Sequence, residues 1–431
     1  MHQIDRRAFI KLLGATGVIA TTSGLILPHR ATAANNKARV IVIGGGFGGA
    51  TCANYLRQYD SSLDVTLIEP KTQFVTCPFS NTVLAGMKPL RFITHNYNGL
   101  RNNRGVNVIH DMVVSIDATV RKLTLKGGKT LMYDRLVISP GISFNWNEIE
   151  GSSEAASKIM PHAWKAGIQT TLLKKQLETM KDGGTVIIAT PRKPFRASVA
   201  PYERASLIAY YLKKHKPSSK ILLIDSSGSS EALSLFRSGW DKFYKGMIEW
   251  IDGSEQGEII SANADALSLT GRTVGTVKGD VVNLIPPQHA GEIAKTAGLV
   301  DESGWCPVNQ QNFASTIQKN IHIIGDACIA DPMQKSGHTA NTQGKICAAA
   351  IVAELSGGTL PDVTYTTSIY SFINPKYAFS SAAVYRLKNG QLERVSGGLS
   401  PANTSRKTRL KEARFATDWY KGITMDIFAK T

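Results

Sequence analysis

Cysteine is scarce in this chain of 431 residues, and the five present are spaced for neither metal nor haem. Cys52, Cys77, Cys306, Cys328 and Cys347 form no C-x-x-C and no C-x-x-C-H. No metal site and no haem carried by this chain is therefore expected. An odd count leaves at least one thiol unpaired or chemically modified in an oxidising compartment. Acidic residues are also short, 33 against 50 basic, for a net charge of +17. No Lys/Arg-rich run with interleaved aromatics stands out, which argues against nucleic acid. An acidic protein partner or an anionic substrate suits the charge, and so does solubility alone. Apolar runs long enough to span a bilayer are missing, so membrane insertion is not expected. No internal repeat or low-complexity segment occurs. What remains, 42% hydrophobic and 19% charged residues, is the composition of a well-cored protein of two or three domains.

The first 33 residues read differently from the rest. Arg6 and Arg7 precede a modest apolar segment broken by Gly and Thr, and Ala31-Thr32-Ala33 follows as a small-residue cleavage site. This resembles a twin-arginine export signal, with the mature chain starting near Ala34 in a bacterial periplasm. Residues 1–33 carry a net +3, so removing them from +17 leaves +14.

The chain is organised around Ala38 to Glu69. A β-branched run, Val40 to Ile43, ends in Gly44, Gly46 and Gly49, which fit G-x-G-x-x-G. A helical pattern follows, then a second apolar strand, Val65 to Ile68, ending in Glu69. The first glycine permits the tight turn, the second lets backbone approach a pyrophosphate, and the third lets helix pack on strand. The helix N-terminus offers free N–H groups to phosphate. Glu69 can accept hydrogen bonds from a ribose. Strand, helix, second strand and acid stand in register, so a dinucleotide site is predicted.

Beyond Glu69 lies a loop containing Cys77. Val113–Ile116 and Lys122–Leu125 read as a hairpin-like pair, and Tyr133 to Ile138 as a strand running into Gly141, a domain boundary. A second β-α-β unit then spans Thr185–Ala189, Tyr202–Leu212 and Lys220–Asp225. Its first turn has no glycine fingerprint and carries Pro191, Pro194 and Pro201. Backbone there cannot approach a pyrophosphate as the first turn can, so no NAD(P) is expected. Ile321–Ile324 is a buried strand ending at Gly325-Asp326, where FAD proteins place an Asp on the ribitol. In a flavin protein the small-residue helix after it, about Thr339 to Leu355, would point its N-terminus at the flavin's pyrimidine end. From Leu360, aromatics alternate with Ser and Thr in strand-like runs. A basic segment, Arg406 to Lys411, leads into a last helix with Phe415, Trp419 and Tyr420.

Several stretches extend beyond a shared fold. Among them are Pro161-His162-Ala163-Trp164-Lys165, Pro201-Tyr202-Glu203-Arg204-Ala205-Ser206, Asn283-Leu284-Ile285-Pro286-Pro287 and Gly325-Asp326-Ala327-Cys328. From about Arg39 to the C-terminus the chain resembles the flavoprotein subunit of flavocytochrome c sulfide dehydrogenase. The resemblance implies an α/β, glutathione-reductase-like flavoprotein with two dinucleotide-binding domains and a small C-terminal α+β domain. Residues 34–150 and 310–358 would form the FAD-binding domain. Residues 151–309 would form the second Rossmann-like domain, and 359–431 the flavin-covering domain. It also implies a partner, a separate c-type cytochrome subunit, with electrons coming from sulfide. The family ties FAD to a cysteine in a T-C-x-x-S-N segment, and Thr76-Cys77-Pro78-Phe79-Ser80-Asn81 has it. A covalent FAD through Cys77 is thereby implied. The alternative is a small buried hydrophobe. The FAD contacts expected are Gly44, Gly46, Gly49, Glu69, Cys77, Gly141 and Asp326.

One family feature is missing. Where the redox disulfide beside the flavin is expected, this chain has Ala197 and Ile369. In the family's sulfide reaction hydrosulfide opens that disulfide, so here the donor would have to attack flavin directly, or be a different molecule. Glu203 remains as a candidate catalytic base, or as a helix-start carboxylate paired with Arg204 or the helix dipole. Three readings stand. One is a periplasmic FAD oxidoreductase passing electrons from a small reduced sulfur donor to a cytochrome. The second keeps that scaffold and uses a non-sulfide donor. The third is a flavin-loaded partner subunit without turnover.

Overall fold

A computed structural model describes residues 37–228, 230–253 and 258–430. The twin-arginine segment lies outside the described residues.

The first unit opens with β1 (Arg39–Ile43), α1 (Phe47–Tyr59) and β2 (Asp64–Ile68). Val40 to Ile43 and Val65 to Ile68 are buried on both faces, as central parallel strands require. Next come β3 (Asn107–Ile109) and β4 (Arg135–Ile138). Between them an antiparallel excursion pairs 113–117 with 122–125, and 122–125 in turn with 130–132. The second unit has β5 (Thr185–Thr190), α2 (Ala200–His215), β6 (Lys220–Asp225), β7 (Ile248–Asp252) and β8 (Val281–Leu284). These strands form a parallel sheet in the order β7-β6-β5-β8. The chain then returns. Strand β9 (Ile321–Ile323) pairs in parallel with β4, giving the first sheet the order β9-β4-β1-β2-β3. Residues 142–144 and 288–290, on the two connections between the units, pair antiparallel.

Helix α3 (Gly337–Ser356) packs on α1. Its small residues serve that crossing, since a Cβ on Gly344 would come within 2.6 Å of the Gly48 carbonyl oxygen. Its start is two residues earlier than the sequence suggests, because Ser336 caps it by accepting from the Thr339 N–H.

The C-terminal unit is an antiparallel sheet of β10 (Thr364–Asn374), β11 (Tyr377–Lys388) and β12 (Gln391–Leu399), covered by α4 (Arg406–Ile427). The basic segment Arg406 to Lys411 is the first turns of α4 rather than a lead into it. Ser405 caps the helix, so charge did not mark the boundary. Near its other end, Asp426 accepts from Tyr55 on α1 at 2.7 Å and from Asn341 on α3 at 2.9 Å, and pairs with Lys345 at 2.9 Å. The last helix is thus locked onto the first unit.

Candidate flavin site

The glycine turn is built as a cradle. Gly44 has φ +96, and a Cβ on it would lie 2.3 Å from the Ser139 carbonyl oxygen. A Cβ on Gly49 would lie 1.9 Å from the Gly44 carbonyl oxygen. Gly46 differs, since its Cβ would meet only the Phe74 ring at 3.4 Å. Gly46 is also the N-cap of α1, and no side chain among the described residues satisfies that helix start. A face bounded by a side-chain ring rather than by backbone, beside uncapped amides, fits a pyrophosphate. Glu69, at the end of β2, accepts from the Gly45 N–H at 2.8 Å and the Lys71 N–H at 3.1 Å. Gly141 has φ +66 with open space where a Cβ would stand, and its carbonyl accepts from the Gly291 N–H.

Cys77 lies on the loop between the strand Gln73–Val75 and the short helix Ser80–Leu84. Its thiol donates to the Trp164 carbonyl at 3.3 Å. The same carbonyl accepts from Arg196, whose guanidinium also pairs with Asp326 at 3.4 Å. Asp326 stands in the turn after β9. The cysteine loop, the proline-rich turn of the second unit and the returning strand therefore meet at one place. Helix α3 starts there too, because a Cβ on Gly337 would press on Phe47 at 2.9 Å and Pro78 at 3.2 Å.

Cationic side chains gather at this junction. Burial works against the Arg196 charge, but Cys77 and Asp326 outweigh it and hold its pKa above the ordinary value. Burial lowers Arg204 to about 10, with Cys77 and Glu203 opposing. Lys165 is lowered by burial and by Arg196 and Lys71, with Cys77 again opposing. Two buried donors, Trp164 Nε1 and Gln288 Nε2, have no partner among the described residues. Gln288 Oε1 accepts from the Arg196 N–H at 3.0 Å. Orphaned donors beside the Arg196–Asp326 pair are what a flavin with its many acceptors would satisfy.

Residues 170–286 match the family described as sulfide dehydrogenase [flavocytochrome c] flavoprotein chain, central. Residues 361–428 match flavocytochrome c sulphide dehydrogenase, flavin-binding, and 38–198 match pyridine nucleotide-disulphide oxidoreductase. The sulfide dehydrogenase flavoprotein chain of Chlorobaculum thiosulfatiphilum is 71% identical over 45 residues, covering 94% of that sequence and 10% of this one. The chain belongs to this flavoprotein family. Mouse mitochondrial sulfide:quinone oxidoreductase is 23% identical over 326 residues, 73% of this chain and 70% of that one. The solved sulfide:quinone oxidoreductase of Aquifex aeolicus superposes with a TM-score of 0.69 at 20% identity, over 91% of this chain and 93% of that one. The fold is that of the α/β flavoproteins, and the chain is a member of an FAD-dependent, sulfide-related oxidoreductase family.

Glu203 is held by two donors, Asn81 Nδ2 at 2.8 Å and the Phe372 N–H at 3.0 Å. Burial raises its pKa against the pull of those bonds. Arg204 forms no ion pair with it. It bonds instead to Asn81 and Asn283 side chains and to the His162 and Ala163 carbonyls. The carboxylate thus ties the short helix after the cysteine loop to β10. Ala197 takes φ +54 and donates its N–H to the Lys335 carbonyl, and Ile369 lies on β10. Cys306 and Cys328 turn out to be register partners in a parallel bridge, both thiols pushed up by burial to about 12.

Sequence reasoning missed Arg196, Trp164 and Gln288. Arg196 is the neighbour of Ala197, and Trp164 lies in the Pro161-His162-Ala163-Trp164-Lys165 stretch. Nothing in the sequence said that they converge on Cys77.

Proposed function

We propose that this chain is a periplasmic FAD-dependent oxidoreductase. It takes two electrons from a small reduced donor and passes them singly to a c-type cytochrome subunit. The donor class is sulfide or a related reduced sulfur compound, the class in its relatives' names. The observation that carries the reading is the junction of the glycine cradle, the Cys77 loop and the Asp326 turn, with its cations and orphaned donors. Bound FAD supplies a carrier that accepts electrons in a pair and releases them one at a time. The chain's part is to hold it. Gly46 and the start of α1 take the pyrophosphate, Glu69 the ribose and Asp326 the ribitol, while Cys77 tethers it.

The second unit favours a protein outlet over a nicotinamide nucleotide. There the acid in the place of Glu69 is Asp225, which is wholly buried. Its carboxylate accepts from Thr190 Oγ1, Tyr202 Oη, Trp250 Nε1 and both the N–H and hydroxyl of Ser227. No acceptor is left for a nicotinamide nucleotide's ribose, and prolines occupy the turn where its phosphates would lie. Electrons then need another exit, and a cytochrome supplies one. The +14 of the mature chain suits an acidic partner surface.

Ala197 and Ile369 favour a second reading, a non-sulfide donor, because no thiol stands where hydrosulfide would open a disulfide. Anaerobic stopped-flow mixing with sulfide, followed by flavin absorbance, separates the two. Rapid bleaching supports direct attack on the flavin. No bleaching with sulfide, alongside normal bleaching with dithionite, moves the donor to another class. A flavin that resists dithionite as well would make the chain a partner subunit without turnover.

A further inference from the structure

Four side chains form a directed hydrogen-bond chain that ends beside Cys77. Lys430 Nζ lies 2.6 Å from His95 Nδ1, and His95 Nε2 lies 2.9 Å from Tyr420 Oη. Tyr420 Oη lies 2.7 Å from Thr76 Oγ1, which donates to the Pro78 carbonyl at 2.9 Å. The direction is forced. Lysine can only donate, so His95 Nδ1 accepts and the ring proton sits on Nε2. Thr76 has given its proton to Pro78, so it accepts from Tyr420, whose oxygen accepts from His95. Burial and Lys430 push the His95 pKa down to about 4, which keeps the ring neutral as the chain requires. A carbonyl cannot take up a proton, so the chain positions a loop rather than delivering protons.

Tyr420 also grips the other side of the cysteine. Its ring lies 4.5 Å from that of Phe79 and stacks on Phe92 at 5.2 Å. Phe79 takes φ +69, an unusual conformation for a bulky residue. One buried tyrosine on α4 therefore holds the residue before Cys77 by its hydroxyl and the second residue after it by its ring.

We propose that Tyr420 and Thr76 are positioning residues for covalent attachment of the flavin, fixing the Thr76-Cys77-Pro78 turn so that the thiol reaches the flavin's 8-methyl group. This rests on the reading that Cys77 carries FAD. In that step Cys77 loses its thiol proton and the methyl group loses one proton as the S–C bond forms. Two electrons remain on the flavin and are removed by dioxygen or a one-electron acceptor. A displaced turn leaves FAD bound in its cradle but unlinked.

The test is the share of purified full-length chain that retains flavin after denaturation, set against total flavin in the folded protein. Wild type should be linked throughout. Tyr420→Phe and Thr76→Val should each lower the linked fraction about tenfold, the range expected for one buried hydrogen bond lost with its partner left behind. Total bound flavin should change less than twofold. Tyr365→Phe is the control, since that buried hydroxyl bonds the Gln310 and Gln311 carbonyls instead, and it should link normally. Full linkage in either folded variant would overturn the inference. Equal loss of linked and total flavin would do so as well, since it would mean general damage. Wild type without linked flavin would instead fail the Cys77 reading itself and take the inference with it.

Discussion

Two glycines of the same turn should fail in different ways when alanine replaces them. At Gly49 a Cβ would stand 1.9 Å from the Gly44 carbonyl oxygen and 3.2 Å from Val42 Cγ1. Ordinary contact begins near 3.4 Å, so the backbone must give by roughly 1.5 Å, and Gly44 is itself fixed by its approach to Ser139. Gly49→Ala should cost about 3 kcal/mol, the upper end for forcing extra volume into packed structure. It should also drag the start of α1 away from the pyrophosphate. At Gly46 the nearest neighbour is the Phe74 ring at 3.4 Å, and φ is −77, which alanine adopts freely. Gly46→Ala should cost at most about 1 kcal/mol, the penalty of alanine at an N-cap. Yet its methyl would point toward the Phe74 ring, into the face where the pyrophosphate belongs. The assay pairs urea unfolding of the flavin-free chain with the flavin-to-protein ratio of the purified one, both in a Cys77→Ala background so that flavin is removable. Gly49→Ala should lose stability and flavin, Gly46→Ala flavin alone. A Gly46→Ala protein that binds flavin like its parent would refute the cradle, and so would a Gly49→Ala protein of unchanged stability.

Other outcomes follow from the same structure. His95, His162 and His338 are held neutral by burial, at about 4, 3 and 4. Their native pKa values are depressed, so the unfolded chain takes up protons first as pH falls from 6.5. Stability should therefore drop through pH 6 to 5, by up to about 1.4 kcal/mol per pH unit for each histidine. Urea midpoints across that window should show the slope, and His162→Gln should flatten it. Arg409 pairs with Glu412 at 2.9 Å, both side chains nearly inaccessible. Arg409→Met should cost about 3–5 kcal/mol, because Glu412 stays buried without its cation. A loss under 1 kcal/mol by chemical denaturation would contradict that burial. Binding to an acidic cytochrome should weaken as ionic strength rises, and titrations indifferent to salt would remove the electrostatic account.

Local pattern made the nucleotide-binding parts legible. The β-branched strands, glycine spacing and acid of 39–69 are a local code, because each residue type answers a requirement of its own turn, strand or helix start. The same holds for the proline-rich turn of the second unit and for the small residues of α3, which let two helices approach closely. Chemistry-bearing residues could be named one by one, as Cys77 and Asp326 were, and the family stretches gave their neighbours.

Tertiary structure alone decided what those residues touch. Glu203 and Arg204 are adjacent in sequence, yet they face different partners brought from residues 81, 283 and 372. Asp225 looks like a ribose acid at the end of a strand, and only packing showed that Tyr202, Trp250 and Ser227 had already used its oxygens. Tyr420 is 343 positions from Cys77, and no periodicity links them. Hydrogen bonds and ring contacts act over a few ångströms whatever the sequence separation. The sequence by itself therefore determined the nucleotide turn with the strands and helix around it, while the folded chain determined which side chains hold the cysteine in place.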